Sequence, residues 1–193
     1  MLVFWRQRLV FLATPKTAST SIEAALGPIA AVVVVRPPQL KHTTVRNYRR
    51  HMAPFLGDTG GFQLVALMRE PRDWLGSWFR FRQRMERNEE KSTRGMSFDA
   101  FVVAYCQEVQ PEFAQVGAQA MFLAPPAYKP VDHVFRYERM NDFIAFMNKR
   151  LGCDLQMPQS NVSPALDLTL SPATEALLRE KCGRDYALYD SLG

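Results

Sequence analysis

Apolar and polar positions fall in blocks that predict strands and helices by turns along this chain. Residues 9–13, Leu9-Val10-Phe11-Leu12-Ala13, are a short β-favouring run that stops at Thr14-Pro15. Residues 20–26 then predict a helix with Ile22, Ala25 and Leu26 on its apolar side and Gly27-Pro28 at its end. Thr20 and Glu23 fit the T-x-x-E capping box for that helix. Residues 31–35 are a continuous, Val-rich run, the pattern of a fully buried parallel strand, and Pro37-Pro38 ends it. Residues 41–52 are polar and basic and read as a loop entering a short helix, with a turn at residues 57–61. Residues 62–68 predict a third buried strand, closed by Arg69-Glu70-Pro71-Arg72.

A helix follows over residues 73–90, with Trp74, Trp78 and Phe81 on one side, and residues 86–94 form a charged, solvated tip. Residues 97–107 repeat the helical spacing with Phe98, Phe101, Val102 and Tyr105. Residues 131–137 are a further strand, and residues 140–151 a helix carrying Phe143, Ile144, Phe146, Met147 and Leu151. Ser171 is the N-cap of a last helix and Pro172 its first residue. Strands alternating with helices predict one α/β domain over residues 1–193 with a central, mainly parallel sheet flanked by helices.

Composition changes this picture little. With 47% hydrophobic residues the chain is globular rather than disordered. A net charge of +5 suits an anionic ligand without demanding nucleic acid or acidic lipid. Cys106, Cys153 and Cys182 lie far apart with no CxxC pair, which points to a reducing compartment. Three scattered histidines give a zinc site little support. Arg6 and Arg8 interrupt the apolar start, and no signal peptide or spanning segment follows, so the expectation is a cytoplasmic chain without stable membrane insertion. Asn161-Val162-Ser163 fits a glycosylation sequon that would be idle there.

The candidate chemistry lies first in Thr14-Pro15-Lys16-Thr17-Ala18-Ser19-Thr20-Ser21. This loop turns a strand into a helix and presents small hydroxyls and bare amides at a helix N-terminus, which binds anions. Lys16 adds a full charge. A Walker A loop would place glycines before its lysine, and none is present. The pattern instead resembles the Pro-Lys-Thr/Ser-Gly-Thr-Thr signature of sulfotransferases that use 3′-phosphoadenosine-5′-phosphosulfate (PAPS), with Ala18 where that signature has glycine. Arg69 at a strand end and Ser77 eight residues on match the pair that holds the 3′-phosphate in that family, with Arg72 as an alternative partner. Arg136-Tyr137-Glu138-Arg139-Met140 resembles the segment that places a tyrosine near adenine, here Tyr137. Asn161-Val162-Ser163 and Asp185-Tyr186-Ala187-Leu188-Tyr189 also look like the tail of the bacterial and Golgi-type group. The Arg-Lys-Gly segment of the cytosolic sulfotransferases is missing.

The resemblance implies a P-loop-like three-layer fold and transfer of a sulfuryl group from PAPS, leaving 3′,5′-adenosine diphosphate (PAP), to a small-molecule, glycan or lipid acceptor. It implies no metal and no nucleic-acid partner. Lys16, Thr17, Ala18, Ser19, Thr20 and Ser21 would hold the 5′-phosphate side, and Lys16 would stabilise the bridging oxygen. His42, in Leu40-Lys41-His42-Thr43-Thr44, resembles the stretch that carries a base in related enzymes, ahead of His51, His133 and Glu23. Two other readings stay open: a P-loop kinase or NTPase, and a non-catalytic relative that binds a nucleotide. Trp74, Trp78, Phe79 and Phe81 could line an acceptor pocket or simply pack in the core, and Arg46, Arg49 and Arg50 could face an acidic acceptor or only solvent.

Overall fold

A computed structural model describes residues 1–57, 59–85, 89–156 and 166–192. In chain order the main elements are β1 (Leu2–Phe4), β2 (Leu9–Phe11), α1 (Ser19–Leu26), β3 (Val32–Val33) and α2 (Pro38–Lys41). Next comes a continuous helical segment, α3 (Val45–Asn47), a π turn (Tyr48–Met52) and α4 (Ala53–Leu56). Then follow β4 (Gln63–Met68), α5 (Pro71–Gln83), α6 (Phe98–Cys106), α7 (Gln119–Leu123), β5 (His133–Arg136), α8 (Met140–Leu151), α9 (Pro172–Lys181) and α10 (Gly183–Asp190). The Asn161-Val162-Ser163 sequon lies outside the described residues, as do residues 86–88 of the charged tip. Among the described residues no helix is long and apolar enough to cross a membrane.

The chain divides into two compact units. The first comprises Met1–Arg69, Gln119–Ser160 and Leu192–Gly193, and it holds the whole sheet. Strand order is β3-β1-β2-β4-β5. β2 pairs parallel with β4 (Phe11 opposite Val65) and β4 parallel with β5 (Met68 opposite Arg136). β1 is antiparallel to both β2 and β3, so the sheet is mixed. Leu2, Phe4, Phe11, Val65 and Leu67 form one core with Ile22 and Leu26 of α1 and Phe143 and Met147 of α8. Val3, Val10, Leu64, Ala66 and Met68, the alternate positions, are also fully buried, so both sheet faces are covered.

Two expectations for this unit are corrected, and one strand was not anticipated. Residues 31–35 are not a buried parallel strand: only Val32 and Val33 pair, antiparallel to β1, and Val33 and Val35 are exposed at the sheet edge. The place beside β2 is filled by β1, a strand that the apolar start of the chain did not announce as one. The capping box also fails. Ala18 is the N-cap, so α1 begins at Ser19, Thr20 falls inside the helix, and Glu23 turns inward to be buried.

The second unit comprises Glu70–Ala118 and Asn161–Ser191. Its core joins Trp74, Leu75 and Phe79 of α5 with Phe98, Phe101, Val102 and Tyr105 of α6 and Leu178 of α9. Glu70 caps α5 by accepting from the Asp73 amide, and Ser171 caps α9 by accepting from the Thr174 amide, as the sequence predicts for Ser171. α5 ends at Gln83 rather than near residue 90, because the apolar stripe thins beyond Phe81. Trp74, Trp78 and Phe81 do share one side, with ring centroids 6.2 and 5.8 Å apart in succession.

Candidate functional site: an anion cradle at the carboxyl edge of the sheet

β2 ends at Phe11, although the Leu12 amide still donates to Val65 O of β4. The connection after β2 leads through α1 to β3 on one side of the sheet, whereas β4 and β5 lie on the other. β2 and β4 are thus the strands between which the winding reverses. In open α/β sheets ligands bind outside the carboxyl ends of such strands.

The loop after β2 is held from within. The Thr17 hydroxyl donates to Thr14 O at 2.9 Å, and both residues are fully buried. That bond commits the Thr17 hydroxyl to the loop's own shape. The Thr14 hydroxyl is buried and has no hydrogen-bond partner. Lys16 and Ala18 both take left-handed backbone, with φ of 66° and 57°. For residues with a Cβ this conformation is uncommon. Ala18 offers no side-chain cap, so the first-turn amides of α1 have no side chain on them at that end. Ser19 is buried, Ser21 half-buried and Thr20 exposed.

Lys41, at the end of α2, reaches this turn. Its ammonium donates to the Thr20 hydroxyl at 2.9 Å and pairs with Glu23 at 2.9 Å. The Met1 amino group also meets Glu23, at 3.1 Å. The next residue, His42, points back to the strand end: its Nδ1 lies 2.6 Å from Ala13 O. A carbonyl can only accept, so Nδ1 carries the proton and Nε2 holds the lone pair. Burial pushes the His42 pKa below its ordinary value; the bond to Ala13 opposes this, and the Lys41 charge adds to it. The ring is therefore neutral at pH 7 and basic at Nε2.

Arg69 follows β4 directly. Its amide donates to Gln119 Oε1 at 2.9 Å, and Gln119 Nε2 donates back to Arg69 O at 2.8 Å. Gln119 is almost fully buried, so the Arg69 backbone is fixed from both sides. The guanidinium lies 4.7 Å from the centre of the Tyr137 ring, just after β5. Its Nε is buried and has no hydrogen-bond partner. Arg82 and Arg150 also have a buried Nε without a partner, so what sets Arg69 apart is its place directly after β4, beside Tyr137.

The first unit therefore brings Lys16 to Ser21, Lys41, His42, Arg69 and Tyr137 to the carboxyl edge of one sheet. Ser77 lies on α5 in the second unit, half-buried. Arg72, the alternative phosphate partner, is engaged within the second unit by Glu175 at 2.9 Å and by Leu168 O at 3.0 Å. Trp74 and Phe79 are buried in that unit's core, which favours packing over an acceptor pocket. His51 is exposed, and His133 sits on β5 against the Phe146 ring at 4.8 Å. Among the described residues no group of three or more His, Cys, Asp or Glu gathers where a metal ion could be held.

Sequence reasoning missed Lys41 and Gln119. Lys41 stood within the quoted Leu40-Lys41-His42-Thr43-Thr44 stretch, but nothing local tied it to Glu23. Gln119 is fifty positions from Arg69 and carries no local signal. A scan against protein-family models finds no match to this chain, and a search of curated proteins finds none either.

Proposed function

We propose that this chain is a PAPS-dependent sulfotransferase that moves a sulfuryl group to a hydroxyl or amine acceptor. The observation that carries the reading is the pairing of two anion-seeking elements on adjacent parallel strands. One is the α1 N-terminus, with no side-chain cap, after β2. The other is Arg69 after β4, with its Nε buried and unpartnered. A nucleotide with separate 5′- and 3′-phosphates needs two such points. The motif resemblance assigns them in that order and extends the mixed sheet to a P-loop-like three-layer fold.

In this reading the amides of residues 17–20 hold the 5′-phosphate, with Lys16 beside the bridging oxygen. Arg69 offers its fork to the 3′-phosphate, and Tyr137 supports both that fork and the base. The acceptor oxygen or nitrogen attacks sulfur, the bond from sulfur to the phosphate oxygen breaks, and His42 Nε2 takes the acceptor's proton. Lys16 neutralises charge that grows on the departing phosphate.

A second reading, a nucleotide-binding relative that performs no transfer, is favoured by one observation. Ala18 occupies a left-handed position that glycine would take without strain. Calorimetry with PAP and with ATP–magnesium decides. The transfer reading expects PAP to bind without magnesium and Arg69→Ala to weaken it about thirtyfold or more, the worth of a lost charge-assisted contact. Binding of ATP–magnesium alone refutes it. PAP binding with no PAPS turnover across hydroxyl and amine acceptors selects the second reading.

A further inference from the structure

A groove of about 560 Å³ lies beside this site, within the first unit. It is lined by Thr44, Arg46 and Asn47 from the helical segment and by Met121, Pro126 and Tyr128 from α7 and the loop after it. Two features tie it to the candidate site. Thr44 is two residues beyond His42, so their backbones lie within about 7 Å. The short helix α7 stands between the two, with buried Gln119 holding Arg69 on one side and exposed Met121 lining the groove on the other.

Among the described residues the groove has one charge and no acid in its lining. Arg46 stacks near the Tyr128 ring, 6.0 Å from its centre, and is exposed. Its neighbour Arg49 is engaged differently: it donates to Lys129 O at 2.9 Å and to Pro130 O at 3.1 Å. Those bonds pin the helical segment to the loop that forms the far wall. Ala127, in that wall, takes a φ of 64°, a strained choice for a residue with a Cβ. The helical segment itself carries only positive charge, although Asp132 lies near Arg49 and pairs with Lys129, and Glu23 pairs with Lys41. Residues 24–57 include Arg36, Lys41, Arg46, Arg49 and Arg50 and no Asp or Glu. Within the helical segment, residues 46–47, 50–51 and 54–55 are the exposed pairs, so Arg46 and Arg50 share one solvent face.

We infer that this groove is the acceptor site and takes a soluble, amphipathic hydroxy acid: an anionic group on Arg46, an apolar body against Met121, Pro126 and Tyr128, and the hydroxyl toward His42. As an acceptor site it rests on the transfer reading above; as an anion-binding groove it does not.

Two probes with the same ring and hydroxyl test it: 6-hydroxy-2-naphthoate and 6-hydroxy-2-naphthamide. In calorimetry the acid should bind about tenfold tighter than the amide, as one charge-assisted contact provides. Amide chemical shifts should move at Asn47, Ala127 and Tyr128. Arg46→Gln should erase the preference and leave PAP affinity unchanged. Equal binding of the two probes, shifts confined to other residues, or an undiminished preference in Arg46→Gln overturns the inference. So does Arg46-dependent sedimentation with phosphatidylglycerol vesicles when the naphthoate does not bind, because the occupant is then a membrane lipid. Naphthoate binding without PAP binding sinks the transfer reading and leaves the groove standing; PAP binding without naphthoate binding does the reverse.

Discussion

Ala18→Gly should make the protein more stable, because Ala18 is an N-cap in left-handed backbone, a place where glycine outranks alanine. Ala18 sits at φ 57° and ψ 21°. A left-handed conformation costs an L-residue about 1–2 kcal/mol, because Cβ crowds the following carbonyl. Glycine removes that cost but adds about 0.4–1 kcal/mol of unfolded-state entropy. The balance is a gain of up to about 1.6 kcal/mol, centred on about 0.8. With a urea m-value of about 2 kcal/mol/M, the unfolding midpoint rises by about 0.3–0.5 M. Ala24→Gly is the internal control. Ala24 is an exposed position inside α1, with ordinary helical backbone, so glycine there costs about 1 kcal/mol and lowers the midpoint by about 0.5 M. The two substitutions are chemically identical and differ in sign only through backbone conformation. Midpoints that shift in the same direction refute the left-handed assignment of Ala18. PAP affinity should stay within about twofold of wild type, since the strain is present with and without ligand and cancels.

The remaining expectations concern a cap and a base. Ser171→Ala removes the acceptor of the Thr174 amide, at 3.2 Å, and should cost about 1 kcal/mol in urea unfolding, with Ser171→Asp restoring most of it. His42 should titrate below its ordinary value of 6.5, chiefly through burial, as read from its ring-proton shifts; a midpoint above 6.5 sinks the buried, Ala13-bonded geometry. The sign for stability follows: the neutral ring contributes fully above pH 6.5, and that contribution is lost as pH falls through 6.5 toward the lower folded value. Under the proposed transfer, with His42 as its base, the acidic limb of kcat/KM should lie below 6.5 for the same reason and be absent in His42→Asn.

Elements with strong local signals were legible. α8 runs over Met140–Leu151 as the apolar spacing predicts, because the stripe is long and Gly152 ends it in left-handed backbone. β4 lies within the expected run because its residues are apolar on both faces. β1 was not legible. Three residues carry no usable period, and their pairing with β2 depends on a tight turn in which Arg8 takes a φ of 51° and donates to Trp5 O. Once β1 takes the inner place, the Val-rich run of residues 31–35 must lie at the edge, so its hydrophobicity misled. The site divides the same way. The cradle and His42 lie in contiguous motifs, whereas Gln119 on Arg69 and Lys41 on Glu23 depend on chain segments meeting in three dimensions.

That last pair bears on how the cradle can hold an anion at all. Glu23 is buried one turn below the amides proposed to hold phosphate, and a bare carboxylate there would repel it. A unit charge roughly 7 Å from an anion is worth about 2 kcal/mol at an effective dielectric of about 20. Lys41 at 2.9 Å and the Met1 amino group at 3.1 Å share that charge, one on each carboxylate oxygen, and the Lys41 side chain is only 15% exposed, so solvent screens the pair weakly. Lys41→Gln should therefore weaken PAP binding by about three- to tenfold, the Met1 amino group still offsetting part of the Glu23 charge, even though the Lys41 ammonium is already occupied by Glu23 and Thr20. A direct contact from Lys41 to phosphate would give the same loss, and a double-mutant cycle separates the two. If Lys41 acts by neutralising Glu23, adding Glu23→Gln to Lys41→Gln restores affinity, because the repelling carboxylate is gone. If the double variant stays as weak as Lys41→Gln alone, Lys41 touches the phosphate itself and the neutralisation argument is wrong.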